Sequence, residues 1–196
     1  SHTVQWSREY FEEYFTIKIK TLQDYLEKPD LVKTLAPGEL LTLSDNIKFV
    51  INHIPNNFDD CLKLGFKMWH ENFVNQIEQL LYKFPADSIT NTGSPFWSGS
   101  KKCPHSLKFN VNDNTHVDYV TSFANIWGQI FGITKCIDQS YIKEFLTSLP
   151  TPQIIIDQNA KISASDAEEK KRLEDSVAID IEKVIQELPN PEKYKD

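Results

Sequence analysis

Cys103 has the setting that most favours chemistry in this sequence. Lys101, Lys102 and His105 flank it, and nearby positive charge stabilises a thiolate over a thiol. Nothing in the sequence supplies an oriented base or an oxyanion hole beside it. Two readings therefore stand: a nucleophile, or a semi-buried cysteine in a packed loop. Cys61 lies near the start of a helix expected from residue 58. A helix N-terminus can activate a thiol, but Asp59 and Asp60 oppose that, and a core cysteine needs no further account. Cys136 reads as a free thiol in a loop. For metal binding, Cys103-x-His105, His116-x-Asp118 and His70 can be gathered on paper. No Cys-x-x-Cys or His-x-x-x-His pair accompanies them, so no metal site is expected. Gly93 and Gly99 make neither nucleotide-binding fingerprint, and no cofactor site is expected in this chain. On residues alone, this is a helical domain without a complete active site.

The elements around these residues are mostly helices. Trp6, Tyr10 and Tyr14, with Val4, Phe11 and Phe15, give helical spacing and a wide apolar face over 3–16. Residues 17–26 mix β-branched and helical signals up to Pro29, and Asp30 is placed to cap a short turn to Leu35. Ala36-Pro37-Gly38 is a break. Leu40, Leu43, Ile47, Val50, Ile51 and Ile54 mark an amphipathic helix stopped before Pro55. The strongest periodic signal runs over 58–83, capped by Asn56 or Asn57 and ended by Pro85. Gly65 inside it costs about 1 kcal/mol against alanine, which suggests a close helix crossing, although tolerance is an equally plain reading.

Ser94 to Tyr119 interrupts the helices. Its Phe96 and Trp97 lose most of their hydrophobic gain if left in water, so the loop is expected to be ordered and packed. Leu107, Phe109 and Val111 alternate with polar residues as in a half-buried strand, and Ile154-Ile155-Ile156 is a strand candidate to pair with 107–111 in a short β-hairpin. Helices are expected over 116–131, capped by Asn114 or Thr115 and ended by Gly132, and from Asp138 to Leu149 before Pro150-Thr151-Pro152. After a mobile loop at 158–164, the capping box Ser165-x-x-Glu168 opens a last helix to Leu188. The charge run 168–174 is its solvated face. The fold class is mainly α: one irregular helical domain over 1–196 with a long ordered loop and that hairpin.

The chain's 196 residues suffice for a sizeable core without disulfides or metals. Its net charge of −7, from 21 basic and 28 acidic residues, argues against nucleic acid or an anionic membrane surface as the main partner. No run reaches the roughly 18 apolar residues of a membrane span, and Arg8, Glu9, Glu12 and Glu13 break any signal-peptide pattern. Three widely spaced cysteines fit a reduced, intracellular protein better than a disulfide scaffold. Without an initiator methionine, and with Ser1-His2-Thr3 leading straight into a helical pattern, the ends suit a piece excised from a longer chain.

Pro95-Phe96-Trp97-Ser98-Gly99, Lys101-Lys102-Cys103-Pro104-His105 and His116-Val117-Asp118-Tyr119 resemble the ubiquitin-activating enzymes (E1), in their second catalytic cysteine half-domain. The resemblance takes in His2-Thr3-Val4-Gln5-Trp6, Asp60-Cys61, Phe84-Pro85, Ala124-Asn125 and Leu188-Pro189-Asn190-Pro191, and so nearly the whole chain. Residues 16–55 and 150–166 match poorly. Lys102 stands where relatives often carry arginine, losing any bidentate contact. Ser100 and Ser106 stand where prolines are common. SUMO-type relatives carry paired zinc cysteines, and their absence favours the ubiquitin branch.

The resemblance implies a helical domain that frames a thioester cysteine while ubiquitin is activated with Mg-ATP in a separate adenylation domain and passed to an E2. It places the nucleophilic cysteine just upstream of Ser1, so none of the cysteines present is catalytic, and the chain alone is expected to be inactive. Cys103 matches a position that is not the nucleophile. The implied partners are ubiquitin, E2 enzymes and the adenylation domains of the same chain, with neither nucleic acid nor membrane, in cytoplasm and nucleus. Trp97, Lys101 and Lys102 are expected at or near the loop surface as partner-facing residues; the competing reading has Trp97 anchoring the loop in the core. Two other function classes compete: a non-enzymatic helical interaction module binding a peptide or helix through this loop, and a self-contained cysteine enzyme using Cys103.

Overall fold

A computed structural model describes residues 2–160 and 180–194. The described chain is mainly α and gathers into two units. One takes residues up to Asn56, Gln129–Ile133 and the C-terminal stretch; the other takes Asn57–Gly128 and the residues from Thr134.

In the first unit, α1 (His2–Glu12), a π-turn at Glu13–Ile17 and α2 (Lys18–Glu27) form one helical run. The expected apolar face of 3–16 is not buried: α1 buries no residue. Its rings stack on one another along the helix instead. Trp6 and Tyr10 lie 5.2 Å apart, Tyr10 and Tyr14 4.6 Å, and Tyr14 meets Phe49 edge-on at 5.4 Å. Residues four apart share a helix face, so the periodicity is real and its partner is the next ring up. Lys18 is buried beside this ladder. Its ammonium donates to Asn46 Oδ1 at 2.9 Å, pairs with Glu13 at 3.3 Å and lies over the Tyr14 ring, as a buried cation requires.

A 3₁₀ turn at Pro29–Thr34 leads to α3 (Pro37–Asn52). Asp30 does not cap that turn with its side chain; it pairs with Lys33 at 2.6 Å. The helix α3 starts earlier than Leu40. Pro37 suits the first helical position, and the Glu39 carboxylate accepts the Ala36 N–H at 3.0 Å. Leu22 and Tyr25 of α2 and Leu40, Ile47 and Val50 of α3 are buried. Near the C-terminus α8 (Ile181–Gln186), capped by Asp180, packs on α3. Lys48 pairs with Glu187, and the Tyr25 hydroxyl donates to the Pro189 carbonyl at 2.9 Å. The expected capping box at Ser165 and the helical residues up to 179 lie outside the described residues.

In the second unit, α4 (Phe58–His70), a π-turn at Glu71–Asn75 and α5 (Gln76–Lys83) realise the helix expected over 58–83. Of the two asparagines, Asn57 is the cap, accepting the Asp60 N–H at 3.0 Å. α6 (Asn114–Ile130) crosses α4, and α7 (Gln139–Ser148), capped by Asp138, packs against α4. Gly132, with φ of 70°, follows α6 where a left-handed residue ends a helix.

The strand pairing of 107–111 with 154–156 does not form. Among the described residues the only β pairing is an isolated antiparallel bridge between Ile89 and Pro95. The donors at 107–112 are taken elsewhere: Leu107 N–H by the Phe73 carbonyl, Asn110 N–H by His116 Nδ1, and Asn112 N–H by the Asn110 side chain. With three of its amides spent on separate acceptors, the segment cannot make a regular ladder.

The close crossing suggested by Gly65 is present. A Cβ there would lie 2.7 Å from the Val120 carbonyl oxygen of α6, which cannot yield as a flexible side chain would. Gly65→Ala is expected to lower stability by about 1–3 kcal/mol through this overlap, despite alanine's better helix propensity. Urea unfolding measures the change, and an unchanged or raised midpoint would contradict the tight crossing.

Candidate functional site

The loop between α5 and α6, residues 84–113, holds most of the residues singled out in the sequence. Its first half is built on aromatic rings. Phe84, at the end of α5, stacks flat on Phe96 with centroids 4.4 Å apart, and Trp97 meets Phe96 edge-on at 4.9 Å. The Trp97 indole N–H donates to the carbonyls of Phe84 and Pro85, at 3.1 and 3.0 Å. Trp97 is thus half-buried and anchors the loop to the end of α5. A tight turn closes the tip: Thr90 N–H donates to Ser94 O and Phe96 N–H to Ser88 O, with Gly93 at φ 82°. A non-glycine residue there would be strained.

The basic pair follows a second turn, where Gly99 has φ of 62° and Lys101 N–H donates to Ser98 O. Lys101 and Lys102 are both exposed. The Lys101 ammonium sits 4.7 Å from the Phe96 ring centre, a cation–π contact that holds the charge at a fixed place on the surface. Cys103 is exposed, with the Pro104 carbonyl 3.6 Å from its sulfur, and His105 is exposed beside it.

The second half of the loop is fixed from below. Ser106 donates to Glu78 of α5. Phe109 packs edge-on against Phe66 and Trp69 of α4, at 4.9 and 5.0 Å, and lies near the His70 and His116 rings. Sequence reasoning took Phe109 for a strand residue and missed it as the plug of this cluster. His116 was considered as a metal ligand. It is a latch instead: its Nδ1 accepts the Asn110 N–H, which leaves the proton on Nε2, 3.7 Å from Asp113. The Asp113 carboxylate caps α6 by accepting the Thr115 N–H. That bond, chiefly, holds its carboxyl below the usual range. Among the described residues no three His, Cys, Asp or Glu side chains come together as a metal site would need.

His70 lies on α4 at the wall of the same cluster, 4% exposed. Its Nδ1–H donates to the Phe66 carbonyl at 2.9 Å. Burial pushes its imidazole below the ordinary value, against a smaller opposing effect of that hydrogen bond. The unfolded chain therefore takes the proton more readily than the folded one. This contribution to stability is intact above about pH 6.5 and is lost as pH falls below it. The urea midpoint is expected to drop between about pH 7.5 and pH 5.5, and His70→Asn to flatten that drop. An equal slope in the variant would remove His70 as its source.

The three thiols separate by environment. Cys61 is fully buried on α4, and its thiol is pushed up to about 11, first by burial and then by Asp60. That is the core reading of the sequence, with the aspartates opposing activation as expected. With the pKa about two units up, its thiolate is scarcer by about a hundredfold. Cys103 and Cys136 are at least partly accessible. Iodoacetamide at neutral pH is expected to modify those two at similar rates and to reach Cys61 only on unfolding. A Cys103 about tenfold faster than Cys136 would mark it as an activated nucleophile after all.

Residues 1–196 match the family model described as "Ubiquitin-activating enzyme, SCCH domain". Human ubiquitin-like modifier-activating enzyme 1 is 34% identical over 98% of this chain, which covers 18% of that relative. Ubiquitin-activating enzyme E1 1 of Candida albicans (strain WO-1) is 33% identical over 97% of the chain, covering 19% of the relative. Human ubiquitin-like modifier-activating enzyme 7 is 35% identical over 85% of the chain and covered to 16%. The chain thus spans about a fifth of the length of these relatives.

Proposed function

Because the chain belongs to the SCCH-domain family of ubiquitin-activating enzymes, we propose that it is the part of such an enzyme that frames the thioester centre. In the parent enzyme, ATP bound with Mg in the adenylation region would activate the C-terminus of ubiquitin as an acyl-adenylate, the carboxylate attacking the α-phosphorus and pyrophosphate leaving. A cysteine thiolate then forms a thioester, AMP leaves, and an E2 cysteine takes the acyl group in a second exchange. This chain's task is positional. Its helices hold the thioester centre where the adenylate and then the E2 can reach it, and orientation of that kind supplies a large share of a transfer rate.

The nucleophile of this reading is carried by the chain ahead of His2, and none of Cys61, Cys103 and Cys136 serves. The single observation that carries the positional role is the state of the thiols within this family member: Cys61 is buried with a raised pKa, and Cys103 sits on a loop anchored by Trp97, with Lys101 held over Phe96. Trp97, Lys101 and Lys102 are the partner-facing residues of the reading, with the two lysines presenting charge and Trp97 fixing their place. The enzyme works in cytoplasm and nucleus.

Reconstitution tests this. The chain joined to its upstream segment and adenylation domains, given ubiquitin and ATP, is expected to form a ubiquitin adduct that a thiol reductant releases. Cys103→Ser and Cys136→Ser leave its yield unchanged. No adduct from folded protein would end the E1 reading, and loss of the adduct in Cys103→Ser alone would move the nucleophile into this chain.

A further inference from the structure

Away from the loop, the second unit carries a groove of about 720 Å³ between one stripe of α4 and the irregular segment after α7. Phe66, Leu149, Pro152 and Ile155 give it apolar walls, while Lys63 and Lys67, one helical turn apart, stand on its rim. That volume takes two or three large side chains. The segment is pinned at both ends: Leu149 N–H donates to Leu146 O, and Asp157 exchanges two hydrogen bonds with the Gln79 side chain. Between those pins, among the described residues, the backbone N–H groups of Thr151, Gln153, Ile154, Ile155 and Ile156 make no hydrogen bond, and Pro152 has none to offer. Ile154 and Ile155 are 51% and 76% exposed.

We propose that this groove binds an extended peptide segment of a partner protein, with alternating apolar and acidic residues. The peptide backbone pairs with the open carbonyls of 151–156 and with the N–H groups of 153–156, beyond Pro152, as strand addition does at an unpaired edge. Its apolar side chains enter the groove, and its carboxylates meet Lys63 and Lys67. Lys63 already touches Asp60 at 3.3 Å and Lys67 also has a partner, but both side chains are exposed, and exposed pairs are weak and exchange readily. At the other end Glu71 accepts from Asn75, which sets the acidic end of the peptide toward Lys63. The chain's overall charge of −7 is screened beyond about 8 Å at physiological salt, so the rim lysines govern the local choice.

The test is selection from a phage-displayed library of random peptides on the 196-residue chain, counter-selected on its Ile155→Asp variant. Enriched peptides are expected to alternate apolar with Asp or Glu and to shift the backbone NMR signals of 63–67 and 151–156. Ile155→Asp should weaken a synthetic winner at least about tenfold. Lys63→Gln with Lys67→Gln should weaken it and flatten its salt dependence. Methylating alternate peptide amides should abolish binding while leaving the side chains in place. The proposal is overturned by no enrichment over the Ile155→Asp protein, by winners without acidic residues, by shifts that map elsewhere, or by a self-associated chain whose interface is this groove.

Discussion

The close approach of α4 and α6 at Gly65 is the constraint on which the second unit depends. With no side chain at that point, the α6 backbone at Val120 can lie against α4. That contact fixes the distance between Trp69 and His70 on one helix and His116 on the other, and the space left between them is the seat of Phe109. Widening the crossing by a methyl group would loosen the walls of the cluster together, because close-packed interiors transmit strain rather than absorb it.

From that seat the order of the loop follows. Phe109 and the Asn110–His116 hydrogen bond fix its far end, and Trp97 with its two carbonyl acceptors fixes its near end. Between the two, the chain uses no sheet and little helix. The amides of Leu107, Asn110 and Asn112 each find a separate acceptor, and Phe84, Phe96 and Lys101 form a three-layer stack at the surface. Order of this kind costs conformational entropy, which the half-buried rings of Trp97 and Phe109 at its two ends help to offset. The outcome is an irregular surface on which the Lys101 charge is held over the Phe96 ring.

Much of this was legible in the sequence, and the reasons differ by element. Helices over 58–83 and 138–149 were readable because cap, apolar stripe and stop agreed: Asn57 and Asp138 at the starts, Pro85 and Pro150 beyond the ends. Gly65 was readable as a crossing because its helix cost needed a reason. The 107–111 segment was misread because alternation reports which side chains turn inward, and a loop lying over a helix alternates as a strand does. What separates the two is where the amides go, and that depended on Phe73 and His116, distant in sequence or read for another purpose. The face of α1 was misjudged for a related reason: spacing of four places rings on one side, but cannot say whether another element or the next ring covers them. The π-turns at Glu13–Ile17 and Glu71–Asn75 left no mark in the periodicity, since one widened turn shifts the stripe by less than the stripe's own width.

The thiols connect this architecture to function. A cysteine that receives an acyl group must be accessible and must reach the thiolate at neutral pH. Cys61 fails on both counts for one reason, its burial on α4 with Asp60 beside it, and the packing that buries it is the same packing that stiffens the helix. A rigid core and a reactive thiol make opposite demands on one residue. Cys61, held in the part that sets the geometry, is therefore the wrong place for a nucleophile. Under the proposed function, a centre supplied from outside the packed helices, with those helices fixing its surroundings, would meet both demands at once.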